Sequence, residues 1–172
     1  MNDVIIRPAK LEDLPRLTEI YNHYVVTRPI TFDLEPYTVE KRKPWFEQFA
    51  NTGRYRLLVA EADGLVIGYA GTTRFRPKPA YDTTVETTIY LSSESAGKGV
   101  GSRLYAALFA ALANEDIHRL VAGYAIPNPA SQALHERFGF QLVGIFRENG
   151  RKFGRYWDVA WSERPLRLEP DK

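Results

Sequence analysis

Apolar residues along the chain alternate between two spacings, and the changes of spacing mark the elements. Val4 to Pro8 is short and β-rich and predicts a first strand. From Leu11 to Val26 the rhythm is helical, with Leu14, Leu17, Tyr21 and Tyr24 on one stripe. Asp13 is the expected N-cap, because Pro15 is tolerated only in a first turn. Pro29 and Pro36 interrupt Thr27 to Tyr37, which reads as a loop, and Thr38 caps a second helix running to Ala50. Leu57 to Ala62 and Leu65 to Thr72 are strands joined by Asp63-Gly64, a pair that accepts positive φ and so predicts a hairpin.

Arg74 to Ala80 carries prolines and basic residues and reads as a loop, followed by an alternating, β-branched strand over Thr83–Leu91. Gly97 to Gly101 is a glycine-rich turn. Val100, Leu104, Leu108 and Ala111 then mark one face of a helix reaching about Asn114. Arg119 to Ala125 is a strand, Asn128 to Phe138 a short helix with Gly139 at C′, and Gln141–Phe146 and Tyr156–Trp161 two last strands. The order β-α-α-β-β-β-α-β-α-β-β predicts an α/β (α+β mixed) fold. The βαβ unit from Thr83 to Ala125 makes part of the sheet parallel. Residues 1–163 are expected to form a single domain, and the charged residues 164–172 a flexible tail.

Composition narrows the chemistry. The chain has 172 residues, 44% hydrophobic and 26% charged, enough for one ordinary core. It has no cysteine, which removes disulfides, thiolate metal sites and cysteine nucleophiles. A net charge of +2 gives no case for nucleic acid or an anionic membrane. No apolar run approaches the roughly 20 residues of a membrane span. The N-terminus lacks the basic and apolar regions of a signal peptide, so a cytoplasmic protein without a metal is expected.

The sharpest local feature is Ala96-Gly97-Lys98-Gly99-Val100-Gly101, between a strand and a helix. Such a turn collects backbone N–H groups at the positive end of a helix, a setting suited to phosphate or pyrophosphate. The alternative is a tight βα turn that needs glycine only for its dihedrals. No Gly-Lys-Ser/Thr closes it, so it is not a Walker loop, and it is not the GxGxxG dinucleotide pattern.

With that turn in place the chain resembles the GNAT superfamily of acetyl-CoA-dependent N-acetyltransferases, whose phosphate loop reads Arg/Gln-x-x-Gly-x-Gly/Ala. Ala96 departs from the arginine or glutamine usual there. Within the superfamily, Tyr21-Asn22-His23-Tyr24, residues Ala80 to Leu91, Pro127-Asn128-Pro129-Ala130-Ser131, Leu134-His135-Glu136, Phe138-Gly139-Phe140 and Lys152 to Val159 resemble the phosphinothricin, methionine sulfone and methionine sulfoximine N-acetyltransferase subgroup. The match runs from about Ile5 to Trp161. It implies a GNAT-like fold, acetyl-CoA as co-substrate, a small amino-acid-like acceptor and a homodimer, with aromatic residues near Tyr24 and Phe32 supplying an apolar patch.

The resemblance also implies site residues. Glu86 would be the general base that frees the attacking amine. Alternation puts it on the face opposite Val85 and Thr87, and its plain alternative is a carboxylate paired with an arginine. Ile89-Tyr90-Leu91 would offer backbone groups to the acetyl and pantetheine. Ala96, Gly97, Lys98, Gly99, Val100, Gly101 and Ser102 would hold the pyrophosphate, with Asn128 and Ser131 near the pantetheine arm. His135 stands where many members carry a tyrosine that protonates the leaving thiolate; the alternative is a histidine tying its helix to a strand. Arg74, Phe75 and Arg76, with Val85 and Thr87 beside Glu86, would face the acceptor. Arg76 is the preferred grip on an acid group, against a merely solvated basic loop. Tyr24, Thr31 and Phe32 are either pocket wall, dimer surface or core. Acetylation of a protein or peptide, or acyl-CoA sensing without catalysis, are the competing functions.

Overall fold

The computed structural model describes residues 4–167. Seven strands form one mixed sheet in the order β1-β2-β3-β4-β5-β7-β6. They are β1 (Ile5–Pro8), β2 (Leu57–Ala62), β3 (Leu65–Arg74), β4 (Thr84–Leu91), β5 (Arg119–Ile126), β6 (Gln141–Lys152) and β7 (Arg155–Pro165). The helices are α1 (Leu14–Thr27), α2 (Val39–Phe46), α3 (Val100–Leu112) and α4 (Pro129–Arg137). Among the described residues only β4 and β5 pair in parallel, and α3 connects them as the βαβ pattern requires.

Two apolar clusters cover the two faces. On one, Val85 of β4 and Leu120 of β5 meet Leu104, Tyr105 and Leu108 of α3. On the other, Val59 and Tyr69 meet Leu17 and Ile20 of α1. The β2–β3 turn has Asp63 at φ 51° and Gly64 at φ 75°, the conformation that the Asp-Gly pair anticipates.

Four boundaries differ from the sequence expectation. Residues Leu11–Asp13 form a separate 3₁₀ turn, and Asp13 stands at the N-cap position of α1 as expected but makes no side-chain capping bond there. Its carboxylate instead accepts from Lys10 N–H at 2.7 Å and takes both terminal nitrogens of Arg7 at 2.8 Å. The second helix stops at Phe46, four residues short of Ala50. Strand β6 continues past Phe146 because a register break between Phe146 and Gly150 absorbs the polar residues between them. Within it Glu148 adopts φ 50° and its N–H donates to Asp158. Finally, Arg164 does not begin a loose tail: it lies in β7, 8% exposed, donating to the carbonyls of Phe138, Pro165 and Leu166. Leu166 is buried in the α3 cluster. The expected tail over 168–172 lies outside the described residues.

Candidate active site

The site forms where the parallel pair comes apart. β4 pairs with β5 over three rungs only, Thr84–Arg119, Val85–Leu120 and Glu86–Val121. β4 continues to Leu91 and β5 to Ile126 without further pairing, which leaves a wedge between them. Ser92 N–H donates to Ile67 O at 2.8 Å across the β3 side. Antiparallel alternation then turns the backbone groups of Leu91 and Ile89 toward the wedge and those of Tyr90 toward β3. Of the expected trio, Ile89 and Leu91 therefore present backbone groups there, and Tyr90 contributes a side chain to the α1 cluster. The Leu91 carbonyl is already taken, accepting from the Tyr24 hydroxyl at 2.6 Å.

Glu86 occupies the last shared rung. Its side chain shares a sheet face with Thr73 and Val121, opposite the buried Val85 and Thr87. It has neither a hydrogen bond nor an ion pair in the described residues, so the arginine-paired alternative is not the one found. Burial pushes its carboxyl above the usual carboxylate range. A partly buried carboxylate with no structural partner, poised to take a proton, is the form a general base requires.

At the head of α3, Gly97 and Gly99 take φ 75° and 78°, so the turn does need glycine for its dihedrals. It also does more. Residues Ala96 to Gly99 are exposed, and no side chain caps the helix, so the first N–H groups of α3 are open to an anion. Gly101 is buried, and a Cβ there would lie 3.4 Å from Leu134 and 3.5 Å from Ile89, ordinary contact distances that place the helix end against β4 and α4. Ser102 is partly exposed in the same first turn, and Lys98 projects into solvent. Asn128 caps α4 by accepting from Ser131 N–H at 3.1 Å. An anionic head at this turn, with its arm along the free edge of β4, fits the donors present.

His135 is 4% exposed with both ring nitrogens engaged. Nδ1 lies 2.7 Å from the Ser131 carbonyl and so carries the proton, while Nε2 lies 3.0 Å from the Tyr105 hydroxyl. Burial lowers its pKa, which keeps the ring neutral. In that state Nε2 accepts from Tyr105 and has no proton to give a thiolate. The expected donor role meets this obstacle, and the arrangement is the one expected of a histidine that ties its helix to its neighbours. Tyr105 and Thr87 join it in a hydrogen-bonded chain that no sequence pattern signalled.

Across the sheet face bearing Glu86, Phe75 meets the Trp161 ring edge-on at 6.0 Å. Trp161 in turn lies over Gly123, where a Cβ would be 3.0 Å from the indole. The two arginines of the preceding loop differ in commitment. Arg74 is bonded to Asp82 at 2.9 Å, whereas Arg76 stacks on Phe75 and makes no ion pair among the described residues. Thr31 is buried, bonded to Tyr21 and, through its carbonyl, to the Lys152 ammonium at 2.7 Å. Phe32 covers Gly150, so the loop after α1 touches the β6–β7 hairpin.

A mixed sheet that opens beside an uncapped glycine turn, with an unpaired glutamate at the point of opening, defines an acyl-CoA-dependent acyltransferase. Comparison with known proteins agrees: the acetyltransferase (GNAT) domain family matches residues 6–161, and the chain belongs to that family. It is 57% identical over 166 residues to a phosphinothricin N-acetyltransferase of Streptomyces coelicolor, covering 95% of this chain and 97% of the relative. An L-methionine sulfoximine/L-methionine sulfone acetyltransferase of Pseudomonas paraeruginosa is 34% identical, over 97% and 96% of the two chains. A phosphinothricin acetyltransferase from Sinorhizobium meliloti, solved in complex with AcCoA, superposes with a TM-score of 0.88 at 36% identity, covering 95% of this chain and 88% of that one.

Proposed function

We propose that this chain is an acetyl-CoA-dependent N-acetyltransferase for the amino group of a small amino-acid-like molecule of the phosphinothricin, methionine sulfone or methionine sulfoximine type. The observation that carries the reading is Glu86, unpaired and partly buried at the last rung before the wedge. Acetyl-CoA supplies an activated acetyl thioester. The turn from Ala96 to Ser102 holds its pyrophosphate, Asn128 and Ser131 lie toward its arm, and the N–H groups of Ile89 and Leu91 are the donors available to a carbonyl oxygen in the wedge. An amino acid's ammonium is mostly protonated at neutral pH and cannot attack. Glu86 takes its proton, directly or through water, and the pKa raised by burial makes the carboxylate a stronger base than an exposed glutamate.

Arg76, free of an ion pair among the described residues, grips the acceptor's acid group beside Phe75, whereas Val85 and Thr87, expected to face the acceptor, are buried on the opposite face of the sheet. His135 supports the site by position. A thiol of pKa about 8.5 can take its proton from water, so no dedicated donor is needed. A peptide acceptor would need an open groove, but Phe75 packs on Trp161 and Arg74 on Asp82, which folds the loop down. A homodimer in the cytoplasm completes the reading. Its apolar surface is on the edge strand β6, where Leu142, Val143 and Phe146 are 60%, 65% and 53% exposed, more than at half-buried Tyr24 or at Phe32.

Thiol release from acetyl-CoA against phosphinothricin, methionine sulfone, methionine sulfoximine, natural amino acids and peptides tests the proposal. Turnover of the small acceptors supports it. Turnover of peptides alone, or binding of acetyl-CoA with no turnover, replaces it with one of the two competing functions.

A further inference from the structure

Among the buried polar groups that the reaction leaves unused, one sits at the seam between β4 and β5. The Thr87 hydroxyl, on a residue 4% exposed, donates to the Val121 carbonyl at 3.2 Å. Val121 belongs to the last rung that β4 and β5 share. The fully buried Tyr105 hydroxyl lies 3.4 Å from Thr87 Oγ1 and 3.0 Å from His135 Nε2. We infer that Thr87, Tyr105 and His135 form a clip that fixes where β4 and β5 part, and so positions the wedge that receives the thioester. This assignment rests on the acetyltransferase reading for its consequence, not for its geometry.

The proton count supports it. Nδ1–H of His135 goes to Ser131 O, so the neutral ring presents a bare Nε2 to Tyr105. Tyr105 has one proton, shared between the bare nitrogen at 3.0 Å and Thr87 Oγ1 at 3.4 Å. Thr87 then keeps its own proton for Val121 O. The groups belong to four different elements: α4, α3, β4 and β5. The His135 ring also lies flat against Tyr124 of β5, with centroids 5.3 Å apart and planes 7° from parallel, so both helices are registered on the parting strand.

The choice of residue argues the same way. Position 87 is buried on a β-branched strand, where valine would fill the same volume without a hydroxyl to desolvate. A threonine there gains only if the hydroxyl is used. At the far end of the same free edge, the Tyr24 hydroxyl holds the Leu91 carbonyl. The free edge of β4 is thus fixed at both ends by side-chain hydroxyls, and the clip at Thr87 sits beside Glu86. Displacement of reacting groups by about 1 Å can cost on the order of 100-fold in rate, so a drift of the parting point reaches the chemistry.

The test is Thr87→Val, with Thr87→Ser as rescue and Tyr105→Phe should the valine variant fail to fold. Tyr105→Phe keeps the ring among Phe109, Phe138 and Phe140 and removes only the hydroxyl. Two readouts are needed. Hydrogen exchange by NMR should show the amides of Thr87, Val121 and Gly123 exchanging about tenfold faster in Thr87→Val, with those of α3 unchanged. Single-turnover acetyl transfer should fall about tenfold while CoA affinity, set at the glycine turn, stays at the wild-type value. Thr87→Ser should restore both. Wild-type exchange and rate in Thr87→Val overturn the clip, as does a serine variant no better than valine, which would make the residue a packing group. If the wild-type protein acetylates nothing, the exchange readout still judges the clip, and only the proposed function falls.

Discussion

Replacing Glu86 by glutamine keeps the side chain's size and removes its ability to accept a proton. The carboxylate touches no partner in the described residues, so the substitution breaks no hydrogen bond or ion pair, and its effect on rate reads proton transfer rather than collapse of a network. Loss of general-base assistance typically costs about 10²–10⁴-fold, which is about 2.7–5.4 kcal/mol at 1.36 kcal/mol per decade. Stability should move in the opposite direction. The folded pKa of Glu86 lies above the unfolded value because burial disfavours the charge. The fold therefore binds a proton that the unfolded chain releases, and it loses stability as pH rises from the ordinary carboxylate range through the raised pKa. Glu86→Gln escapes that penalty. It should melt above wild type at neutral pH, and the gap should close as pH falls to the ordinary carboxylate range. The assay is a single-turnover pH–rate profile on the best acceptor from the screen, beside melting curves over the same pH range. Wild type should show an acidic limb set by Glu86 that the variant lacks. The variant's deficit should shrink at high pH, where more of the acceptor is already free amine. A variant that transfers acetyl at the wild-type rate at neutral pH would refute the assignment of the base.

Gly99→Val should weaken acetyl-CoA binding by tenfold or more in calorimetry. The position has φ 78° with nothing crowding it, so backbone strain of about 1–2 kcal/mol and a side chain over the open N–H groups act together. Arg76→Ala should raise the acceptor KM about 10- to 100-fold, the worth of a charge-assisted contact of roughly 1.5–3 kcal/mol. Arg74→Ala should raise it far less, because that guanidinium is held by Asp82; equal effects in steady-state kinetics would count against the distinction. Light scattering at micromolar concentration should give the mass of two chains, and replacing Val143 and Phe146 on β6 by charged residues should halve it.

What the sequence made legible follows from where each signal is local. The Asp63-Gly64 hairpin, the glycine turn and the alternation that sets Glu86 against Val85 and Thr87 each depend on neighbours in the chain, and each appears in the fold as anticipated. The buried cations do not announce themselves. Arg164 reads as tail because it is charged, yet three backbone carbonyls satisfy its guanidinium. Lys152 is buried as well, and its ammonium reaches the Thr31 carbonyl across 121 residues of chain. The tie among His135, Tyr105 and Thr87 needs two helices and a strand brought together, so no spacing along the chain encodes it.

The wedge is the least local feature, and the pairing of β5 explains it. β5 pairs with β7 along its whole length, from Arg119–Pro165 to Ile126–Asp158, but with β4 over three rungs. Its direction is therefore set by the β6–β7 hairpin and not by β4. The sheet behaves as two half-sheets, β1 to β4 and β5-β7-β6, joined by a short seam. Twist carries the halves apart beyond that seam, and the backbone groups of β4 lose their partners on that side. Buried unpaired groups are costly, so this edge is where an extended ligand arm gains most by supplying hydrogen bonds. Glu86 stands on the last rung of the seam. The residue that moves the proton and the edge that receives the arm are thus placed by one structural event, the end of β4–β5 pairing.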